Sequence, residues 1–341
     1  MARLFSAAAA AALALAFTFA SPAPAHAQAL KKVKVTIPVP ALTFYPLYVG
    51  RDRGFFAKQG FDVEIIQTSG DGPDVDALIS GSVDFTVSTP NRLFMAYEQG
   101  KPLLAVANLG NRMAIECWMN KEVAGELGVS LETPLEQRIK ALKGLTVAGT
   151  RPGAFTYLLL VEYAKRFGLE PQKDVKIIGI GGPAAMIPAV ENKKVAVACT
   201  GSPAPELAVA RGKAIAFTNN INGGDPAYNN FLFELLYVRP DFAKSSADTV
   251  KRMIRGFTDA IAFIEDGPDA EQLAVLKKNF SGAPDDILLG AMKNMRPIFV
   301  RDARITEESV VKAGNFMRQT GVVSKLPKSW SEIATNDYLP R

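Results

Sequence analysis

FYPLYVGRDRGFFAKQGFDVE, residues Phe44–Glu64, together with KVKVTIPVP just before it (Lys32–Pro40), decides the fold. Val33, Val35, Ile37 and Val39 alternate with Lys34, Thr36 and Pro38, the two-residue period of a strand. A loop rich in proline and aromatic residues, 40–46, follows. A helical segment is expected from about Leu47 to Gln59, closed by Gly60 where a left-handed stop is favoured. Phe61, Val63 and Ile65 begin the next strand. This is a β–loop–α–β unit, and in an open α/β sheet the loop after such a strand faces the ligand crevice.

A chain of 341 residues is long for one domain and natural for two. Its hydrophobic content of 48% supports real cores, and its charged content of 21% is ordinary for a soluble protein. Residues 1–27 read as a signal peptide: Arg3 is the positive start, Ala7–Phe17 the apolar run, and Ala25-His26-Ala27 the small-residue cleavage site. Cleavage after Ala27 implies export to a bacterial periplasm. No cysteine follows the run, so no lipid anchor is expected, and no later segment approaches a membrane span. Without Arg3 the net charge falls from +5 to +4, with no basic block to suit nucleic acid.

The chain's only histidine, His26, leaves with this segment. That excludes Ser-His-Asp and Cys-His catalysis and His-ligated metal sites from the mature protein. No enzyme activity, cofactor or metal is expected. Cys117 and Cys199 are the only cysteines. The favoured reading is two buried thiols that pack as small apolar residues, with a disulfide, permitted by an oxidising compartment, as the alternative.

Strand, loop and helix alternate along the rest of the chain. FDVEIIQT runs into a turn at 69–73, a helix follows from about Asp74 to Ser80, and Val83–Ser88 is the next strand. Ser88-Thr89-Pro90-Asn91 then leads into a helix ending near Gly100, with hydroxyls suited equally to capping and to a ligand. Leu103–Leu109 is a strand, and Met113–Asn120 is a strand that leaves the first domain. The pattern restarts at Leu142: strand, loop Thr150–Thr156, apolar helix Tyr157–Phe167. Gly179-Ile180-Gly181-Gly182 lacks the third glycine and the later acidic residue of a dinucleotide site and reads as a tight turn. Asn219–Asn230 is loop by composition and is the expected return crossing, with a strand at Glu234–Arg239. On Ala247–Glu265, Val250, Met253, Ile254, Phe257, Ile261 and Ile264 fall on one helical face. Lobe 1 is thus expected at 28–112, lobe 2 at 113–222, and the return crossing with the completion of lobe 1 at 223–341.

The pattern Tyr–x–Gly–x–x–x–Gly–Phe–Phe–x–Lys–x–Gly–Phe–Asp–Val–Glu at Tyr48–Glu64 resembles the opening of ABC-importer solute-binding proteins of the nitrate/sulfonate/taurine and thiamine-precursor (NMT1/THI5-like) family. Gly81-Ser82-Val83-Asp84-Phe85, Leu142–Gly149, Gly321-Val322-Val323 and Asn336–Arg341 are similar to later family elements. Lys194-Val195-Ala196-Val197 departs from the family, which often carries an acidic residue there. The resemblance implies an α/β, two-lobed periplasmic binding protein type II, with two doubly wound mixed sheets joined by two hinge crossings. It implies a monomer that captures a small solute between its lobes for a membrane permease, the solute being an oxyanion such as a sulfonate, nitrate or carboxylate. A ligand-binding protein reporting to a membrane sensor is the alternative, followed by a thiamine-pyrimidine enzyme. The family's enzymes carry a Cys-rich motif and a reactive His, absent from the mature chain.

Candidate ligand contacts follow from the strand-end loops. In lobe 1 these are Phe44 and Tyr45 as apolar walls, with Ser69, Gly70, Ser88 and Thr89 as polar contacts. In lobe 2, Arg151, Gly153, Ala154, Phe155 and Thr156 form a Gly-containing turn into a helix N-terminus, which the family uses to present backbone N–H groups. Arg151 offers a planar fork for an anion, or a salt-bridged rim residue. Thr200, Gly201 and Ser202 complete lobe 2, and Asn229 is placed on the hinge side.

Overall fold

Alternating strands and helices fold into two five-stranded sheets in a computed structural model that describes residues 29–340 apart from 69, 71 and 102. The expected signal segment and Ser69 lie outside the described residues. The strands are β1 (Lys31–Ile37), β2 (Phe61–Gln67), β3 (Phe85–Ser88), β4 (Leu104–Arg112), β5 (Ile115–Asn120), β6 (Thr146–Gly149), β7 (Lys176–Gly179), β8 (Val197–Gly201), β9 (Ala214–Ala216) and β10 (Asn229–Val238). The first sheet has the order β2-β1-β3-β10-β4 and the second β7-β6-β8-β5-β9. In the first, β1 runs parallel to β2 and β3, with Ile37 opposite Gln67 and Val35 opposite Phe85. β10 is antiparallel to both β3 and β4. The second sheet repeats the plan: β6 is parallel to β7 and β8, and β5 is antiparallel to β8 and β9. Each sheet is therefore mixed, and its antiparallel member is the strand beside a crossing.

The chain passes between the sheets twice, at residues 113–114 and again between β9 and β10. One side chain ties the two passages together. Glu116, on β5, accepts from Thr218 Oγ1 at 2.5 Å and from the Ile221 backbone N–H at 2.8 Å.

Around the opening stretch, two helices replace the single expected one. Tyr45–Asp52 has Pro46 in its first turn, where a missing N–H costs nothing. The chain then breaks at Gly54, φ +74°, before the short helix Phe55–Lys58. The break turns Phe56 inward between two glycines: a Cβ on Gly50 or on Gly256 would lie 2.4 Å from its ring. Phe56 meets Phe257 edge-on, with ring centroids 5.0 Å apart. Gly256 and Phe257 belong to helix Ala247–Asp266, whose predicted apolar face is buried: Val250, Met253, Ile254, Phe257, Ile261 and Ile264 are all 0% exposed. Burying one such side chain contributes about 1.5–3 kcal/mol, so this face anchors the C-terminal part of the chain to the first sheet.

The favoured reading of Cys117 and Cys199 as two thiols is corrected. They form a disulfide, with Cα atoms 4.1 Å apart. Antiparallel pairing of β5 and β8 puts the two residues directly opposite each other, despite 82 positions between them in sequence. The last strand of the first sheet also begins earlier than expected, at Asn229 instead of Glu234.

Candidate functional site

The carboxyl ends of β1, β3, β6 and β8 and the loop after β2 converge between the sheets, as ligand-facing loops do in open α/β folds. They enclose a cavity of about 50 Å³. By this measure a water needs roughly 10–15 Å³, so the closed space takes about four waters. Its wall on the first-sheet side is Pro38, Val39, Ala41, Thr43, Phe44, Gly70, Thr89 and Phe233. Ala114 comes from the first crossing and Ile115 from the start of β5, and Thr150, Phe155, Thr156, Thr200 and Gly201 close the other side. Hydrogen bonds among the described residues tie the walls together. The Leu42 N–H donates to the Ser202 carbonyl at 2.8 Å, and Asn91 Nδ2 donates to the Gly153 carbonyl at 3.3 Å.

Seven of the predicted contacts line this cavity: Phe44, Gly70, Thr89, Phe155, Thr156, Thr200 and Gly201. Arg151, Gly153, Ala154 and Ser202 stand beside it without joining the wall. A Cβ on Gly70 would sit 3.0 Å from the Arg151 guanidinium carbon, so this cation lies against the Gly70 turn. Ser202 donates its hydroxyl to Glu206 Oε1 at 2.6 Å. Ala154 is the N-cap of helix Phe155–Arg166.

Three expected contacts do not line the cavity, two of them drawn away by a polar partner. Tyr45 is fully buried and donates to the carbonyl and Oε1 of Gln272, at 3.0 and 2.9 Å. Ser88 donates to Asp74 Oδ2 at 2.6 Å. Asp74 is itself 0% exposed, and burial raises its pKa above the usual carboxylate range. Asn229 turns its amide toward Gly223, while its carbonyl accepts from Lys312 Nζ at 2.8 Å.

Several wall residues escaped sequence reasoning. Thr43 adjoins Phe44 and belongs to the same proline-rich loop, so that loop was the available signal. Thr43 Oγ1 donates to Glu234 Oε2 at 2.6 Å, and Glu234 is 0% exposed. Thr150 opens the loop after β6; its hydroxyl lies 2.8 Å from that of Thr156, which also accepts from the Thr150 N–H at 2.9 Å. Phe233 was missed because the strand that carries it was expected to begin one residue later. Phe155 joins Phe44 and Phe233 as an aromatic of the wall. It stacks on Phe316 with centroids 4.9 Å apart and meets Phe233 edge-on at 5.5 Å. The wall is thus largely apolar and dotted with threonines, and among the described residues no Lys, Arg, Asp or Glu lines it. Among the described residues, no three His, Cys, Asp or Glu side chains converge as a metal site.

Comparison with known proteins matches residues 42–271 to the NMT1/THI5 like family model. The chain belongs to the NMT1/THI5-like family. A relative, the putative binding protein YtlA of Bacillus subtilis (strain 168), is 22% identical over 251 residues, 73% of this chain and 70% of that one. A zinc-bound ligand-binding component of an ABC-type import system from Staphylococcus aureus superposes with a TM-score of 0.71 at 15% identity, over 90% of this chain and 97% of that one. The periplasmic nitrate-binding protein NrtA of Synechocystis PCC 6803 superposes with a TM-score of 0.70 at 18% identity, over 91% and 87%. At these identities the likeness shows the fold, which is that of the periplasmic binding proteins. Among the described residues, no helix of this family member is long and apolar enough to cross a membrane.

Proposed function

We propose that this protein is the periplasmic binding component of an ABC import system, capturing a small solute between its lobes and delivering it to a membrane permease. The observation that carries this reading is the cavity itself, walled by strand-end loops from both sheets. Such clefts are the usual small-ligand site of two-lobed α/β proteins. Hinge opening at the two crossings would admit the solute and closure would exclude water. In this reading the protein acts as a monomeric carrier, and the residues after 27 contain no histidine to support His-dependent catalysis. A working affinity is on the order of micromolar, about −8 kcal/mol.

An oxyanion is the solute class the resemblance implies, and NrtA, whose name gives nitrate as its ligand, shares the fold. Arg151 beside Gly70 and the start of helix Phe155–Arg166 are the features that favour it. Against it stand the wall, which carries no charged side chain among the described residues, and the buried Glu234 behind Thr43.

Native mass spectrometry of the protein as purified, followed by a thermal-shift panel of anionic and neutral solutes, tests the assignment. A ligand that binds only the folded state raises the melting temperature as its concentration grows. Finding no small molecule that does so would overturn capture, and turnover of a bound solute would overturn the carrier role.

A further inference from the structure

The polarity of the cavity's hydroxyl groups is set by the hydrogens they have already committed. A threonine hydroxyl has one hydrogen and two lone pairs. On the first-sheet wall, Thr43 gives its hydrogen to Glu234 Oε2 and Thr89 gives its own to Asn91 Oδ1, at 2.6 and 2.8 Å. The Asn91 amide is held in that orientation, because its Nδ2 donates across the cleft to the Gly153 carbonyl. Both hydroxyls therefore offer a ligand lone pairs only.

The opposite wall differs. Thr150 and Thr156 share a single hydroxyl–hydroxyl bond, which uses one of their two hydrogens and leaves the other. The Thr200 hydroxyl has no protein partner among the described residues, so it can donate. The cavity is polarised: acceptors on one side, donors on the other, and no formal charge in the wall among the described residues.

We propose that the solute is a compact, uncharged molecule with N–H donors at one end and a carbonyl-type oxygen at the other, the chemistry of small amides and ureas. Its N–H groups face Thr43 and Thr89, and its oxygen faces Thr200 and the Thr150–Thr156 pair. An oxyanion brings acceptors alone. It would set its lone pairs against those of Thr43 and Thr89, one hydroxyl away from the buried Glu234 carboxylate. A buried site committed to one hydrogen-bond polarity discriminates strongly against a ligand that cannot match it. This inference rests on the cavity being the capture site.

The test is the melting temperature of the purified protein with acetamide, N-methylurea, nitrate, methanesulfonate and methylammonium at equal ionic strength. Acetamide or N-methylurea should raise it in a concentration-dependent way, and the three ions should not. Thr89→Val and Thr200→Val should each weaken the amide or urea about tenfold; Thr200→Val carries the test if the Thr89 variant folds poorly. Gly201→Leu serves as the control for the site, because even a Cβ there would sit 3.2 Å from that of Ala41 across the cleft. It should abolish the response. An ion that raises the melting temperature, and loses that effect in Gly201→Leu, would overturn the neutral-donor assignment and leave capture standing. A response that survives Gly201→Leu, or no response to any of the five, would overturn capture in this cavity as well.

Discussion

Glu116 stands where both crossings meet, 7% exposed, and burial pushes its carboxyl up to about 7 from the usual 4.5. Thr218 and the Ile221 N–H favour its ionised form, and Glu206 opposes it. A carboxyl raised on folding is more easily protonated in the native state than in the unfolded chain. Its contribution to stability is therefore complete below about pH 4.5 and is lost as pH rises through 7. Glu116→Gln should flatten that part of the profile, by on the order of 1–3 kcal/mol between pH 5 and 8. Urea midpoints of both proteins at the two pH values check this; an unchanged slope would place the titrating group elsewhere. Arg151 is a second informative residue, since its guanidinium lies against the Gly70 turn without joining the cavity wall. Arg151→Ala is expected to leave binding of a neutral solute within about threefold, about 0.7 kcal/mol, as read by calorimetry. Selective loss of an anion would return Arg151 to a charge-reading role.

At the scale of elements, Phe56 joins two helices to the first sheet through the gap between Gly50 and Gly256. Phe56→Ala is expected to cost about 3–5 kcal/mol, measured by urea unfolding, with smaller losses marking a site that collapses. The disulfide between β5 and β8 closes a span of 82 residues, and Cys117→Ser with Cys199→Ser should lower stability by about 2–4 kcal/mol. These elements also show what could be read from the amino acids alone. The period-two run at Val33–Ile37 and the one-sided face of helix Ala247–Asp266 are local patterns, and both appear where they were expected. The antiparallel place of β10 and the Cys117–Cys199 bond are not local, because each depends on which distant strand lies alongside. The site divides in the same way. Positions such as Thr89, just after β3, and Thr200, near the end of β8, could be found from strand ends. The inward turn of Tyr45 could not, because its partner Gln272 lies 227 residues away.

For the whole molecule, the two walls are held by few direct bonds, Leu42 to Ser202 and Asn91 to Gly153 among them. Bulk at Gly201 should hold them apart, so Gly201→Leu is expected to increase the radius of gyration in solution scattering and to remove the contraction that solute produces in the parent protein. A parent that is equally compact with and without solute would argue against hinge closure. The order β2-β1-β3-β10-β4 has a further outcome for biogenesis. The strand that sits between β3 and β4 comes from residues 229–238, after the entire second sheet has been made. A growing polypeptide therefore leaves the ribosome with the interior of its first sheet unfilled, its flanking edges bare, until about two thirds of the chain has been synthesised. Such late completion would suit the periplasmic role proposed above, since a translocation channel takes a chain that has not yet folded.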